Sequence, residues 1–370
     1  MITRTAPTWH TEDWQFLLSG SIRSPETLWQ RLQLPLHSLP AGLQGHNAFA
    51  LRVPEPYLAK IEVGNPDDPL LRQVLPVQAE TQPRDGFIAD PLGERQVNPQ
   101  GGLLHKYHSR VLLVLSGACA INCRYCFRRH FPYEDNRLSS REFDQVAAYL
   151  QAHPEVNEVI LSGGDPLVVS NGRLDKLLKT IEQVPTVKRL RIHTRLPVVI
   201  PQRVDAGLLD CLGNTRLDSV LVTHSNHPRE LDGLFDQAMA ALRQAGVHLL
   251  NQAVLLRGVN DTAEILTNLS ERLFQAGVLP YYLHLLDPVA GAHHFDVPEQ
   301  EARQLMCALH RHLPGFLIPR LVREISGKSG KTLIDLGTRR TDSKTKTIDN
   351  KWREKHWLFK MIIAVLCQCI

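Results

Sequence analysis

Cysteine is scarce in this chain of 370 residues. There are seven, an odd number, and Cys211, Cys307, Cys367 and Cys369 are scattered. A disulfide framework needs paired, regularly spaced cysteines, so none is expected. Long apolar runs are also missing. The uninterrupted run 361–367 near the C-terminus is far short of the roughly 20 residues that span a bilayer, so no membrane span is expected. The first 14 residues are polar and mixed in charge, without a signal-peptide pattern. A reducing cytoplasm is the expected compartment. The body also lacks an excess of either charge. Lys and Arg number 42 and Asp and Glu 38, but residues 338–370 hold eight and three of these, leaving 34 and 35. A near-neutral body offers no basic surface for nucleic acid as the main ligand. Finally, no Gly-x-Gly-x-x-Gly follows the first strand-like run, which counts against a doubly wound dinucleotide fold.

What is present starts with Cys119-Ala-Ile-Asn-Cys123-Arg-Tyr-Cys126, directly after an apolar strand-like segment. Three thiolates on one short loop can hold three irons of a cubane cluster and leave the fourth open. An open coordination position is the mark of a catalytic metal centre. The alternative is structural zinc, with His130 as a fourth ligand.

The chain divides into three parts. Residues 1–100 read as a mainly helical region, with Trp14, Leu17, Leu18, Leu28 and Leu32 at helical spacing and Pro25 at a helix start. Residues 101–337 alternate. Strand-like runs fall at 111–116, 158–162, 189–194, 219–224, 248–256, 281–286 and 316–321. Helix-like runs lie between them, at 174–184, 229–245, 263–276 and 298–313, and Ser139-Ser-Arg-Glu142 reads as a capping box opening the first helix. Strand–helix alternation predicts parallel βα units, six or so in number, and hence a partial (β/α)6-type barrel. Residues 338–370 are a basic, polar linker and a short apolar tail, expected to be irregular.

In a β/α barrel the chemistry sits at the C-terminal ends of the strands. Each strand-like run here ends in reactive or binding residues: the cysteines; Ser162-Gly163-Gly164-Asp165; His193 and Arg195; His224 and Asn226; Asn251 and Gln252; His284 and Asp287. Any one of these is unremarkable, and the repetition across six strands is what points to a site. The glycines let backbone approach a ligand closely, and an acid or carbonyl beside them can receive an ammonium group. A glycine-punctuated loop, Gly327-Lys328-Ser-Gly330-Lys331, follows the last strand, and His105-Lys106-Tyr107-His-Ser-Arg110 precedes the first. Together they suggest a lysine-held cofactor with a phosphate.

From about residue 50 to 337 the chain resembles the lysine 2,3-aminomutase family, which combines a radical S-adenosylmethionine (SAM) cluster with pyridoxal 5′-phosphate (PLP). The resemblance is carried by Leu103-Leu-His-Lys-Tyr-His-Ser-Arg110, the cysteine loop through Arg129, Ser162-Gly-Gly-Asp-Pro-Leu, His224-Ser-Asn-His-Pro, Asn251-Gln-Ala-Val-Leu-Leu-Arg-Gly-Val-Asn-Asp261 and Pro280-Tyr-Tyr-Leu-His-Leu-Leu-Asp287. It implies a [4Fe-4S] cluster on Cys119, Cys123 and Cys126, and SAM at Ser162–Asp165, His224 and Gln252. It implies PLP on Lys331, with Lys106, Tyr107 and Arg110 near its phosphate. It places the substrate carboxylate on Arg128 and the side-chain ammonium on Asp287, with Glu324 where catabolic members carry an aspartate. The implied reaction is a 2,3-amino shift converting L-α-lysine to β-lysine, fed by a reducing electron donor. Gly64-Asn-Pro-Asp-Asp-Pro-Leu-Leu-Arg-Gln-Val and Cys126-Phe-Arg-Arg-His-Phe-Pro-Tyr133 look like the short bacterial branch. That branch supplies (R)-β-lysine for modification of elongation factor P and works with its lysyl-transferring enzyme. A longer C-terminal domain is not expected, and a homo-oligomer is compatible with the pattern. An aminomutase acting on glutamate, a zinc-stabilised binding protein and a simple electron carrier stay open as alternatives.

Overall fold

A computed structural model describes residues 13–39, 49–94, 101–133, 138–139, 141–328 and 330–337. Among the described residues, nine strands form one sheet in sequence order. They are β1 Leu103–Tyr107, β2 Arg110–Ser116, β3 Glu158–Gly163, β4 Arg189–Thr194, β5 Asp218–His224, β6 His248–Val254, β7 Leu279–His284, β8 Arg320–Arg323 and β9 Thr332–Leu333. β2 to β8 pair in parallel, each with the next. β1 and β9 are antiparallel additions at the two ends, so the sheet stays open. This is the partial barrel the alternation implies, with seven parallel strands joined by six crossovers.

The crossovers are helical. α5 Phe143–Ala152, α6 Asn171–Glu182, α7 Leu196–Val199 with α8 Ala206–Gly213, α9 Gly233–Gln244, α10 Ala263–Gln275 and α11 Glu299–His312 follow β2 to β7 in turn. Four start on side-chain caps: Ser170, Asp205, Asp232 and Thr262 each accept a backbone N–H of the first turn. Leu174, Leu177, Leu178 and Ile181 show the burial rhythm of an amphipathic helix against the sheet. Interior strand residues such as Val111, Leu113 and Val114 are buried, as parallel strands covered on both sides require.

Three expectations change. Ser139 does not cap a helix: its N–H donates to Glu142 Oε2 at 2.6 Å, but the helix starts at Phe143 with Glu142 in the cap position. The box is a turn ahead of the helix. The last strand moves from 316–321 to β8, because Gly315–Leu317 closes a tight 3-10 turn after Pro314. β1, α7 and α8 were not read from the pattern; Pro197 and Pro201 punctuate the latter region like a loop.

The N-terminal region contains α1 Trp14–Ser19, α2 Pro25–Arg31, α3 Glu55–Leu58 and α4 Pro69–Arg72. Ser24 caps α2, with Pro25 in the first turn where its missing N–H costs nothing. The region packs on the barrel. Lys60 Nζ donates to Val198 O at 2.9 Å and Glu230 O at 2.8 Å, and Arg229 pairs with Asp68 at 2.6 Å. Up to Ile334 the chain forms one compact unit. The tail, 338–370, lies outside the described residues.

Candidate active site

A cavity of about 700 Å³ runs along the inside of the barrel. At one end it is lined by Cys119, Cys123 and Cys126 on the loop after β2, and elsewhere by Lys106, Arg128, His224, Gln252, Asp287, Glu324 and Lys331. The sequence-derived candidates thus share one enclosure, although they come from most of the strands.

The cysteine loop is clamped from the N-terminal region. Arg52 Nη1 donates to Cys119 O at 2.9 Å, and Arg124 N donates to Gln73 O at 2.9 Å. Glu80 takes both Arg124, through Nε at 2.8 Å, and Arg129 at 2.6 Å. Burial, with the neighbouring thiols, pushes the Cys119 thiol well up, and burial and Cys123 raise Cys126 to about 11. Deprotonating such a set requires a strong local positive charge, which bound iron would provide. Among the described residues, no three His, Cys, Asp or Glu side chains converge on a single-ion position. Cubane ligands each take a different iron, so they need not converge. His130 points elsewhere: its Nε2 lies 3.1 Å from Ala290 O, and it does not line the cavity.

The Ser162–Asp165 turn holds this loop in place. A Cβ on Gly164 would stand 2.4 Å from Ala118 O, and one on Gly163 would stand 2.6 Å from Ser116 O. Gly163 also has φ +123°, a backbone that L side chains rarely adopt. The close approach that needs glycine here is therefore to the chain's own cysteine loop. The Asp165 carboxylate is committed to backbone. It accepts from the N–H groups of Leu167, Arg195 and Leu196, at 3.0, 2.8 and 3.0 Å, and from Thr194 Oγ1 at 2.7 Å. An ammonium at this turn is left with carbonyl oxygens, not with that acid.

From Arg128, two residues beyond Cys126, an alternating set of charges leads to Lys331. Arg128 Nε and Nη2 bond Glu94 at 2.6 and 2.8 Å, and Nη1 donates to Ser162 Oγ at 2.9 Å. Lys106 Nζ stands 3.8 Å from Glu94 and 3.5 Å from Glu324. Glu324 accepts from Tyr107 Oη at 3.1 Å and from Lys331 Nζ at 3.0 Å. Burial would raise the Glu324 carboxyl, but Lys331 and Lys106 hold it down at about 2. β9 makes this geometry: its two residues fold back on β8 and bring Lys331 onto Glu324. Lys331 Nζ also lies 5.6 Å from the Tyr282 ring centre, and the Arg110 guanidinium stacks on Tyr107 at 4.4 Å. Lys328 is exposed and outside the cavity.

Some polar atoms in the cavity are left over. Among the described residues, Asp287 Oδ1, His193 Nε2, His284 Nε2 and Gln252 Oε1 are buried and find no hydrogen-bond partner. Gln252 Nε2 meets His224 Nε2 at 2.8 Å. Burial, with Arg195 and Lys331 nearby, lowers His224 to about 3, so it is neutral. Burial and the charge on Glu324 raise Asp287 to about 7. Glu94, Glu80 and Gln73 belong to the site and were missed. They lie in short 3-10 turns and at the end of α4, too short for a periodic signal, and only their arginine partners stood out.

The radical SAM superfamily profile matches residues 113–223. The chain is similar to L-lysine 2,3-aminomutase of Escherichia coli K12, 51% identical over 329 residues that cover 89% of this chain and 96% of that one. It is 48% identical to the protein of that name from Haemophilus influenzae, over 87% of this chain and 95% of that one. For the Buchnera aphidicola protein the figures are 42%, 88% and 96%.

Proposed function

The chain belongs to the L-lysine 2,3-aminomutase family of radical SAM enzymes, and we propose that its cavity carries out the 2,3-amino shift on lysine with PLP as a second cofactor beside the cluster and SAM. The observation that carries the lysine reading is Asp287: a carboxylate with a buried, unpartnered oxygen inside a cavity that also holds an arginine. A lysine zwitterion presents a carboxylate at one end and an ammonium at the other. Asp287 suits the ammonium and would repel a side-chain carboxylate, which disfavours glutamate.

The donor sets fit the groups the family uses. Three free thiols on one loop suit a [4Fe-4S] cluster with one open iron. Lys331, with Lys106, Tyr107 and Arg110, suits PLP: a cavity-facing amine beside cationic and hydroxyl donors for a phosphate. When bound, the cluster and SAM supply the carbon radical that opens a C–H bond, and PLP carries the migrating nitrogen. The residues do the rest. Asp287 takes the ammonium end of lysine, and Arg128, whose Nε and Nη2 are on Glu94 and whose Nη1 is on Ser162, has only its outer Nη N–H groups for the carboxylate. Ser162, together with Glu94, holds the Arg128 fork in its plane. Glu324 holds the Lys331 amine in the cavity at 3.0 Å.

We assign the product to (R)-β-lysine and its use to elongation factor P modification. The support is the text of residues 64–74 and 126–133, which resembles the short bacterial branch. The test is anaerobic reconstitution with iron, sulfide, SAM, PLP and lysine, followed by chiral analysis of the product. Formation of (R)-β-lysine is expected. Formation of the S form would refute the branch assignment, and no β-lysine at all would refute the lysine reading.

A further inference from the structure

One buried cation of the cavity, Arg195, is assigned no role in the proposed amino shift. Arg195 follows β4 and faces the cysteine loop. Its Nη1 lies 2.6 Å from Cys123 Sγ and 2.6 Å from Tyr125 Oη. Its Nη2 bonds Gln73 Oε1 at 2.8 Å and Glu230 Oε2 at 2.9 Å. The guanidinium is sandwiched between Tyr57 and Tyr125, with ring centres at 5.6 and 5.7 Å. Its partners are fixed in turn. Glu230 is fully buried and accepts the N–H groups of Asn226 and His227, both at 3.0 Å. Asn226 Nδ2 donates to Tyr125 Oη at 2.6 Å and to Gln73 Oε1 at 3.0 Å. Among the described residues, Cys123 is the one thiol of the three with a charged side chain donating to its sulfur.

Burying an arginine–glutamate pair is expensive, and stability alone is weak grounds for it. A fixed cation against a cluster ligand has a specific effect. Reduction adds one electron to an already anionic centre. A positive charge and an N–H···S bond favour the reduced form and raise its potential. The carboxylate of Glu230, 2.9 Å behind the guanidinium, opposes that charge.

We propose that Arg195 is a positioning residue that sets the reduction potential of the cluster through Cys123, with Glu230 as its counterweight. The proposal rests on the reading of Cys119, Cys123 and Cys126 as cluster ligands. Gln73 and Tyr57 make the N-terminal region part of this device.

The test is an anaerobic dithionite titration of the reconstituted full chain, without lysine, followed by the paramagnetic resonance of the reduced cluster. Arg195→Gln should shift the midpoint negative, by at least tenfold in the one-electron equilibrium, about 59 mV. Arg195→Lys keeps the charge and loses the fork, and should shift less. Glu230→Gln should shift it the opposite way, to more positive values. An unchanged midpoint in Arg195→Gln overturns the proposal, and so do same-sign shifts in Arg195→Gln and Glu230→Gln. If the midpoint holds while SAM binding weakens, Arg195 serves SAM and the proposal fails. Should Arg195→Gln load no iron, Arg195→Lys and Glu230→Gln decide by the same signs. A wild-type chain that binds no iron and sulfide would instead refute the cluster reading itself.

Discussion

The two ends of the cavity differ in how far the protein completes its own hydrogen bonding. At the cysteine end the leftover atoms among the described residues are the Nε donors of Arg52, Arg129 and Arg195, whose terminal nitrogens are all bonded, and Glu230, Gln73 and Asn226 close a network around Tyr125. At the lysine end, Asp287 Oδ1 and His284 Nε2 are buried with no partner. Each unsatisfied buried group costs on the order of 1–3 kcal/mol. Native proteins keep such groups few, and these two face one enclosure. The cysteine end is cross-braced by its own side chains, which suits a redox centre whose geometry must not change. The lysine end is left for a ligand to complete.

The largest expected effect is at the cysteine end. Cys123→Ala removes one of three cluster ligands and should abolish SAM cleavage, with little loss of fold, since Cys123 is only partly buried. Iron and sulfide content and deoxyadenosine formation check this; retained deoxyadenosine formation would take Cys123 out of the cluster. Next comes the cofactor lysine. Lys331→Ala should lose the visible absorption of bound PLP, whereas Lys328→Ala should keep it. Borohydride reduction and peptide mapping should mark Lys331, and a label on Lys328 would put the cofactor outside the cavity. A smaller effect is expected from Asp287→Asn. Losing a charge-assisted bond of about 1.5–3 kcal/mol should raise the KM for lysine roughly ten- to a hundredfold. PLP and SAM binding should be spared. An unchanged KM would mean that the lysine end is completed by something other than the substrate ammonium.

The same contrast governs what could be read from sequence. β2 and β3 were visible as short apolar runs, and β4 to β6 as alternation, one face buried and the other lining the cavity. The cysteine spacing exposed its own end of the cavity in outline, and the strand-end pattern pointed to Arg195, His224 and Asp287. What stayed hidden was partnership. Arg195 and Cys123 are 72 positions apart, and Arg128 and Glu94 are 34 apart. The first pair depends on which strand ends face each other inside the barrel, and the second on how the N-terminal segment wraps it; neither leaves a period in the sequence. The Asp165 carboxylate illustrates the other failure: the motif was legible, but the acid in it serves backbone N–H groups. β9 is two residues long, too short for any alternation, yet it sets Lys331 against Glu324.

The smallest effect is also the most specific to the lysine end. In the ligand-free protein, burial and Glu324 raise the Asp287 carboxyl to about 7, whereas an unfolded aspartate ionises near 3.9. The folded state therefore holds this proton more tightly between those values. The group's contribution to stability is fully present below about pH 4 and is lost as the pH rises through about 7. Asp287→Asn cannot ionise and escapes that loss. Its melting temperature should exceed the parent's at pH 8 by more than at pH 5. The gap in stability is about 1 kcal/mol once the partial exposure of the side chain is allowed for. Saturating lysine should shrink the difference, because its ammonium stabilises the ionised carboxylate in the parent alone. Binding shows the converse: lysine affinity should fall about tenfold per unit as the pH drops below about 7, where Asp287 must first release a proton. Paired thermal melts at the two pH values, with and without lysine, check both. A pH-independent difference would mean that Asp287 already has a partner in the empty cavity, and the contrast between the two ends would then rest on His284 alone.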